Sequence, residues 1–137
     1  MKYIILILII SFGISSAPRK IKKGYHNLTL QWIEDGKPGK ILFEEISINS
    51  YKVSGEKRSK NNEDFLKIDG TIKVIKPNIL EFNGTIQTKI FHIYEGKVCS
   101  REGKQSFIAY GKRKYWRMKN KINCDERTTD YIDIYFR

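Results

Sequence analysis

Hydrophobic and polar residues alternate along most of this chain, and the alternation is cleanest from Phe65 to Tyr94. Leu66, Ile68, Gly70, Ile72 and Val74 fall on one side of an extended chain, with Lys67, Asp69, Thr71 and Lys73 on the other. After a turn at Lys76-Pro77-Asn78, one face carries Leu80, Phe82, Gly84, Ile86, Thr88, Ile90, His92 and Tyr94. Glu81, Asn83, Thr85, Gln87 and Lys89 occupy the opposite face. Successive side chains of a strand point to opposite faces, so the pattern predicts two half-buried strands joined by a tight turn.

The rest of the chain reads the same way. Leu28, Leu30 and Trp32 alternate with Thr29, Gln31 and Ile33, and the cluster Glu34 to Gly39 holds the Asp-Gly pair of tight hairpins. A second strand is expected over Lys40 to Asn49, with Leu42, Ile46 and Ile48 on the inner face and Glu44 as an exception there. Tyr51 to Ser54 reads as a short strand, and Gly55 to Asp64, charged and without an apolar residue, as an exposed loop. Gln105–Tyr110, Lys114–Lys119 and Tyr131–Arg137 complete the set, with turns expected at Glu95-Gly96-Lys97 and Arg101 to Lys104.

About eight strands with short connections and no sustained helical period predict an all-β fold: a small antiparallel meander barrel, with a two-sheet sandwich as the alternative. Two matching segments favour closure. Ile68-Asp69-Gly70-Thr71-Ile72 and Phe82-Asn83-Gly84-Thr85-Ile86 each put a glycine on the inner face, and glycine within a strand marks a bend or a close backbone approach.

The first 17 residues do not fit this pattern. Met1-Lys2 gives a positive start, Tyr3 to Ile14 is nearly all apolar, and Ser15, Ser16 and Ala17 are small. These are the parts of a secretory signal peptide. An apolar run of about 12 residues is short of the roughly 20 that span a bilayer, so no transmembrane span is expected in the mature form. The expected organisation is a leader over 1–17 and one β domain over 18–137. Pro18 is a poor residue after a cut, and cleavage after Ser15 is the alternative. Export implies a periplasmic, cell-surface or secreted protein, and Cys99 and Cys124 are then expected to form a disulfide.

Charge narrows the partners. The chain of 137 residues has a formal net charge of +11, of which Lys2 in the leader accounts for one. Such an excess favours anionic partners. Pro18 to Gly24 reads as a short, mobile, solvated basic arm. The segment Arg113, Tyr115, Arg117 and Lys119 forms a candidate anion-binding stripe, its cations set beside a ring on one face of a strand. Trp116 and Met118 alternate with it, as core or as the lining of a cavity. Within the barrel, Thr88, His92 and Tyr94, with Trp116, are the candidate contacts to a small ligand. The alternative for His92 is a hydrogen-bonded core histidine. His26, at a strand start, is expected to be exposed. No catalytic, metal, cofactor or sequence-specific nucleic-acid motif stands out.

The exported chain, the meandering strands and the single cysteine pair resemble lipocalin-like barrels in outline, although the Gly-x-Trp signature is absent, since Leu30-Gln31 precede Trp32. The resemblance implies a non-enzymatic binder of a small apolar or amphipathic ligand. A basic module for anionic polymers, lipopolysaccharide or membrane headgroups is the second expectation, and a small secreted enzyme the third. The oligomeric state is left open.

Overall fold

A computed structural model describes residues 16–137; the predicted leader, apart from its last two residues, lies outside them. The eight strands are β1 (Gly24–Leu30), β2 (Gly39–Ser47), β3 (Ser50–Arg58), β4 (Phe65–Lys76), β5 (Ile79–Lys89), β6 (Val98–Ile108), β7 (Tyr115–Met118) and β8 (Ile132–Tyr135). Each pairs antiparallel with the next, and β8 pairs with β1 through Leu28 opposite Ile134 and Leu30 opposite Ile132. The meander closes into the predicted barrel, which leaves no exposed sheet edge.

The alternation that predicts β4 and β5 is the core. Leu66, Ile68, Ile72, Leu80, Phe82 and Ile86 are fully buried. Gly70 pairs with Gly84, and Gly84 with Gly103 of β6. A Cβ on Gly70 would lie 2.3 Å from the Asn83 carbonyl oxygen and 2.9 Å from Gly84 Cα. Only glycine allows this close approach of β4 to β5. The interior is filled by side chains, the largest being Trp116, Phe43, Phe82 and Phe107.

Several expectations are corrected. In β2 the inner face is Ile41 and Phe43, not Leu42, Ile46 and Ile48; Ile46 and Ile48 are exposed. Pairing with β1 fixes this phase, His26 facing Ile41, and Glu44 then points outward as a carboxylate should. β3 runs on to Arg58 because β4 offers it partners as far as Phe65, so ladder hydrogen bonds outweigh the polar side chains of the expected loop. β6 likewise runs unbroken through Arg101 to Lys104, the whole of it paired with β5. β5 stops at Lys89, and a turn in which Ile93 N–H donates to Ile90 C=O reverses the chain. Ile93 turns inward and His92 outward, so His92 does not lie in the barrel.

The arm is not free. Ile21 is 2% exposed and plugs one end of the barrel. Ser16 N–H donates to Gly111 C=O at 3.0 Å, and Tyr51 Oη to Ile21 C=O at 3.4 Å. His26, expected outside, is fully buried, with Nδ1 2.7 Å from the Tyr135 carbonyl and Nε2 2.6 Å from the Lys22 carbonyl. Its ring ties the arm to β8.

Candidate functional site

Because turns of a meander alternate between ends, the barrel has two distinct mouths. One holds the arm (16–23), the β2–β3 turn, the β4–β5 turn, the β6–β7 turn (109–114) and residues 136–137. These segments carry Arg19, Lys20, Lys22 and Lys23 on the arm, the run Lys112-Arg113-Lys114, and Arg137: eight cations and no carboxylate side chain. The other mouth holds the connections 31–38, 59–64, 90–97 and 119–131, with eight carboxylates against six cations. The net positive charge of the chain is therefore concentrated at one end.

The acidic mouth is built from internal pairs. Arg101 points inward from β6 and donates from Nη2 to Asp130 Oδ2 at 2.7 Å and to the Ile122 carbonyl at 3.0 Å. Asp130 is fully buried and also accepts from Trp32 Nε1 and Asn123 Nδ2, each at 2.9 Å. Lys57 and Asp35 form a second buried pair at 2.5 Å. That hydrogen bond, with one from Lys60 N–H, holds the Asp35 carboxyl below its ordinary range. Cys99 and Cys124 are joined, as predicted, which fastens the long β7–β8 connection to β6.

The four candidate ligand contacts are not brought together. Thr88 is buried, and its Oγ1 has no hydrogen-bond partner among the described residues. Arg101 Nη1, on the adjacent strand, is in the same state; buried water ordinarily meets such groups. Trp116 is fully buried at the opposite mouth, where Nε1 donates to Pro77 C=O at 2.9 Å and the ring packs on Phe136. His92 is exposed, edge-on to Trp32 at 5.6 Å. It shares an open surface cleft of about 440 Å³ with Tyr94, far from Trp116 in the fold and next to Cys124.

The candidate anion stripe divides. Arg117 is engaged by Asp133 through two bonds, Nε–Oδ1 at 2.8 Å and Nη2–Oδ2 at 2.9 Å, which raise its pKa above the ordinary guanidinium range. Its guanidinium also lies 4.2 Å from the Tyr131 ring centroid. A bidentate pair of this kind leaves little charge for a partner. Lys119 is exposed toward the acidic mouth. Arg113 is exposed at the basic mouth, between the rings of Tyr110 and Tyr115 at 5.9 and 5.7 Å.

The fold extends that basic corner in a direction the chain order hides. Tyr115 pairs with Tyr135, ring centroids 5.3 Å apart. Beyond Tyr135 opens a cleft of about 580 Å³ walled by Lys20, Lys22, Lys114 and Arg137 over Tyr135 and Phe136. No carboxylate side chain lines it, and none of the four cations belongs to an ion pair among the described residues. Lys23, by contrast, pairs with Glu45 at 2.9 Å, which raises the lysine pKa and lowers that of the glutamate. Lys20, Lys22 and Arg137 converge because β8 closes onto β1, a pairing that no local pattern reports.

Fold and site together define a class: a closed, eight-stranded antiparallel barrel with a filled interior and a cationic mouth. The chain belongs to the PM1083 family, whose model matches residues 14–136. It is similar to the uncharacterised protein PM1083 of Pasteurella multocida (strain Pm70), 37% identical over 115 residues that cover 82% of this chain and 72% of that one. No solved structure matches it.

Proposed function

We propose that this protein is an exported, non-enzymatic binding module that holds a densely anionic surface or polymer against the basic mouth of its barrel. The single observation that carries the reading is the cleft of about 580 Å³ in which Lys20, Lys22, Lys114 and Arg137 face one space that no carboxylate side chain lines. Clustered cations that could have been paired, in a chain with 15 Asp and Glu, hold a standing electrostatic attraction for anions. Near a negatively charged surface each Lys or Arg contributes about 1 kcal/mol. The predicted leader and the disulfide support an oxidising compartment outside the cytoplasm. The filled core, with Phe43, Phe82, Phe107 and Trp116 occupying the interior, weighs against an apolar ligand held within the barrel.

The test is elution from immobilised heparin under a salt gradient. The variant with Lys20, Lys22, Lys114 and Arg137 all changed to Gln is expected to elute at clearly lower salt than the wild type. A control with Lys37, Lys52, Lys60 and Lys67 changed to Gln removes the same charge elsewhere, and is expected to elute close to the wild type. Equal loss in both variants would mean that net charge alone is read and would sink the assignment to this mouth.

A further inference from the structure

Four large apolar side chains are exposed at the same mouth as the cations: Ile46 at 61%, Ile48 at 87%, Ile75 at 48% and Tyr110 at 57%. Two of them coincide with one device used twice. The β2–β3 ladder shifts register between Glu45 and Ser47, and the β4–β5 ladder between Val74 and Lys76. Each bulge inserts one residue that has no partner opposite, and in both cases that residue is an isoleucine directed to solvent. Both isoleucines already lie in the outward phase of their strands, on the face opposite to Phe43 and to Ile72, so the bulges leave them unpaired without changing their direction. The β2–β3 turn is tied to the end of β4, since Val74 N–H donates to Asn49 C=O at 2.8 Å, so the isoleucines project from one jointly held rim. Tyr110 extends that rim to the β6–β7 turn, beside Lys112, Arg113 and Lys114.

We infer that the basic mouth docks on an anionic lipid bilayer, with Ile46, Ile48, Ile75 and Tyr110 entering the headgroup–acyl boundary while Lys20, Lys22, Lys112 to Lys114 and Arg137 contact lipid phosphates. This inference rests on the anionic-partner reading above and specifies its source. The apolar tips share this mouth with the cations, and the two carboxylates next to Ile46 are opposed, Glu44 by Lys52 across the ladder and Glu45 by Lys23; the combination fits an interface that is greasy below and negative above. A soluble polyanion would use the cations and leave the isoleucines in water. Large exposed apolar groups beside unpaired cations mark an interaction site; Phe91, Val98, Ile122 and Tyr131 are exposed at the acidic mouth as well, but there they stand among carboxylates. The filled barrel suits this role, because a rigid wall holds the tips in register as they insert.

The experiment compares co-sedimentation of the folded, disulfide-bonded mature protein with vesicles of phosphatidylglycerol and phosphatidylcholine in equal parts, with vesicles of phosphatidylcholine alone, and with immobilised heparin. The wild type is expected to bind the mixed vesicles and to leave the neutral ones largely free. Changing Ile46, Ile48 and Ile75 together to Ser is expected to weaken binding to mixed vesicles about tenfold or more, while elution from heparin is unchanged. In a second variant, Ile48→Trp, the added indole emission is expected to shift to the blue on mixed vesicles and to be quenched by brominated acyl chains. Mixed-vesicle binding that survives the triple change, or emission of the Ile48→Trp variant that is blind to brominated lipid, would overturn insertion and leave the anionic-partner reading standing. Heparin binding without vesicle binding would assign the mouth to a soluble polyanion. A dimer in sedimentation velocity that the serine changes abolish, without vesicle binding, would assign the rim to a second copy. Binding to neither heparin nor mixed vesicles would remove the anionic-partner reading itself.

Discussion

The buried pair between Arg101 and Asp130 is open to a double-mutant cycle. Asp130→Asn keeps the shape of the side chain and removes its charge. Arg101, whose side chain is 8% exposed, is then left with no carboxylate, and stranding one partner of a buried pair costs about 3 to 5 kcal/mol. Arg101→Met strands the carboxylate in turn. Asp130 keeps its bonds from Trp32 and Asn123, but the Ile122 carbonyl loses its donor, so a similar loss is expected. The double variant removes both charges and both desolvation costs. Replacing a whole buried pair by groups of similar volume is often neutral, so a loss of about 0 to 2 kcal/mol is expected instead of the roughly 6 to 10 that independent sites would give. Small domains are stable by about 5 to 15 kcal/mol, so each single change removes a large share. The assay is urea unfolding followed by tryptophan fluorescence, to which Trp32 beside the pair and Trp116 in the core both contribute. With a slope of about 2 kcal/mol per molar, each single variant shifts the midpoint down by about 2 M. Single losses under about 1 kcal/mol, or a double variant equal to their sum, would refute the claim that these groups are mutually dependent.

Two further predictions concern the disulfide and the carboxylates. Removing the disulfide by changing Cys99 and Cys124 to Ala opens a loop of sequence separation 25 and is expected to lower stability by about 3.5 kcal/mol on the loop-entropy account. Urea midpoints that coincide with the wild type would contradict this. Acid is expected to destabilise the barrel, because Asp35, Glu45 and Asp125 all have carboxyl pKa values lowered by hydrogen bonds, from Lys57, Lys23 and Thr128 respectively. For a group whose folded pKa is depressed, the stability is fully present above the unfolded value, about 4, and is lost as pH falls through the folded one. Thermal midpoints should therefore fall below about pH 4, and less so in Asp35→Asn; an identical acid loss in that variant would exclude Asp35 as a source.

The parts of the fold legible in the sequence are those where two strands each carry a full period-two pattern and meet through a short turn. From Leu66 to Thr88 both conditions hold, and faces, turn and glycine approach all follow. Where one condition fails, the reading fails with it. In β2 the apolar residues Leu42, Ile46 and Ile48 share a phase that barrel pairing contradicts, and Glu44 on that supposed inner face is the available warning. The end of β3 and the middle of β6 are polar segments made into strands by their neighbours' unsatisfied backbone groups, which no side-chain pattern records. His26 lies two residues before Leu28, in phase with the core, so its burial is readable; its partners, at Lys22 and Tyr135, are not. The basic stripe is visible as Arg113, Tyr115 and Arg117, but the engagement of Arg117 by Asp133 and the convergence of Lys20, Lys22 and Arg137 both depend on β8 lying between β7 and β1.

The contrast between the two mouths gives these details a single sense. At the acidic mouth, charged side chains are turned inward and matched, as in Lys57 with Asp35 and Arg101 with Asp130, and a covalent bond holds the longest connection. Buried pairs of this sort contribute little net stability over apolar residues, but with the disulfide they pin polar connections that could not otherwise pack. At the basic mouth the core is closed differently, by Ile21, Phe43, Tyr51, Trp116 and the ring of Phe136. Apolar closure leaves Lys20, Lys22, Lys114 and Arg137 without an ion pair among the described residues, and Ile46 and Ile75, on the outer phase of β2 and β4 and unpaired at the bulges, are left exposed. A mouth built only for closure would carry polar side chains at those outward positions and would pair those cations with some of the carboxylates found at the other end. The division of charge between the ends, with exposed isoleucines set among the unpaired cations of one of them, is therefore the feature that folding alone does not require, and it is there that binding should be sought.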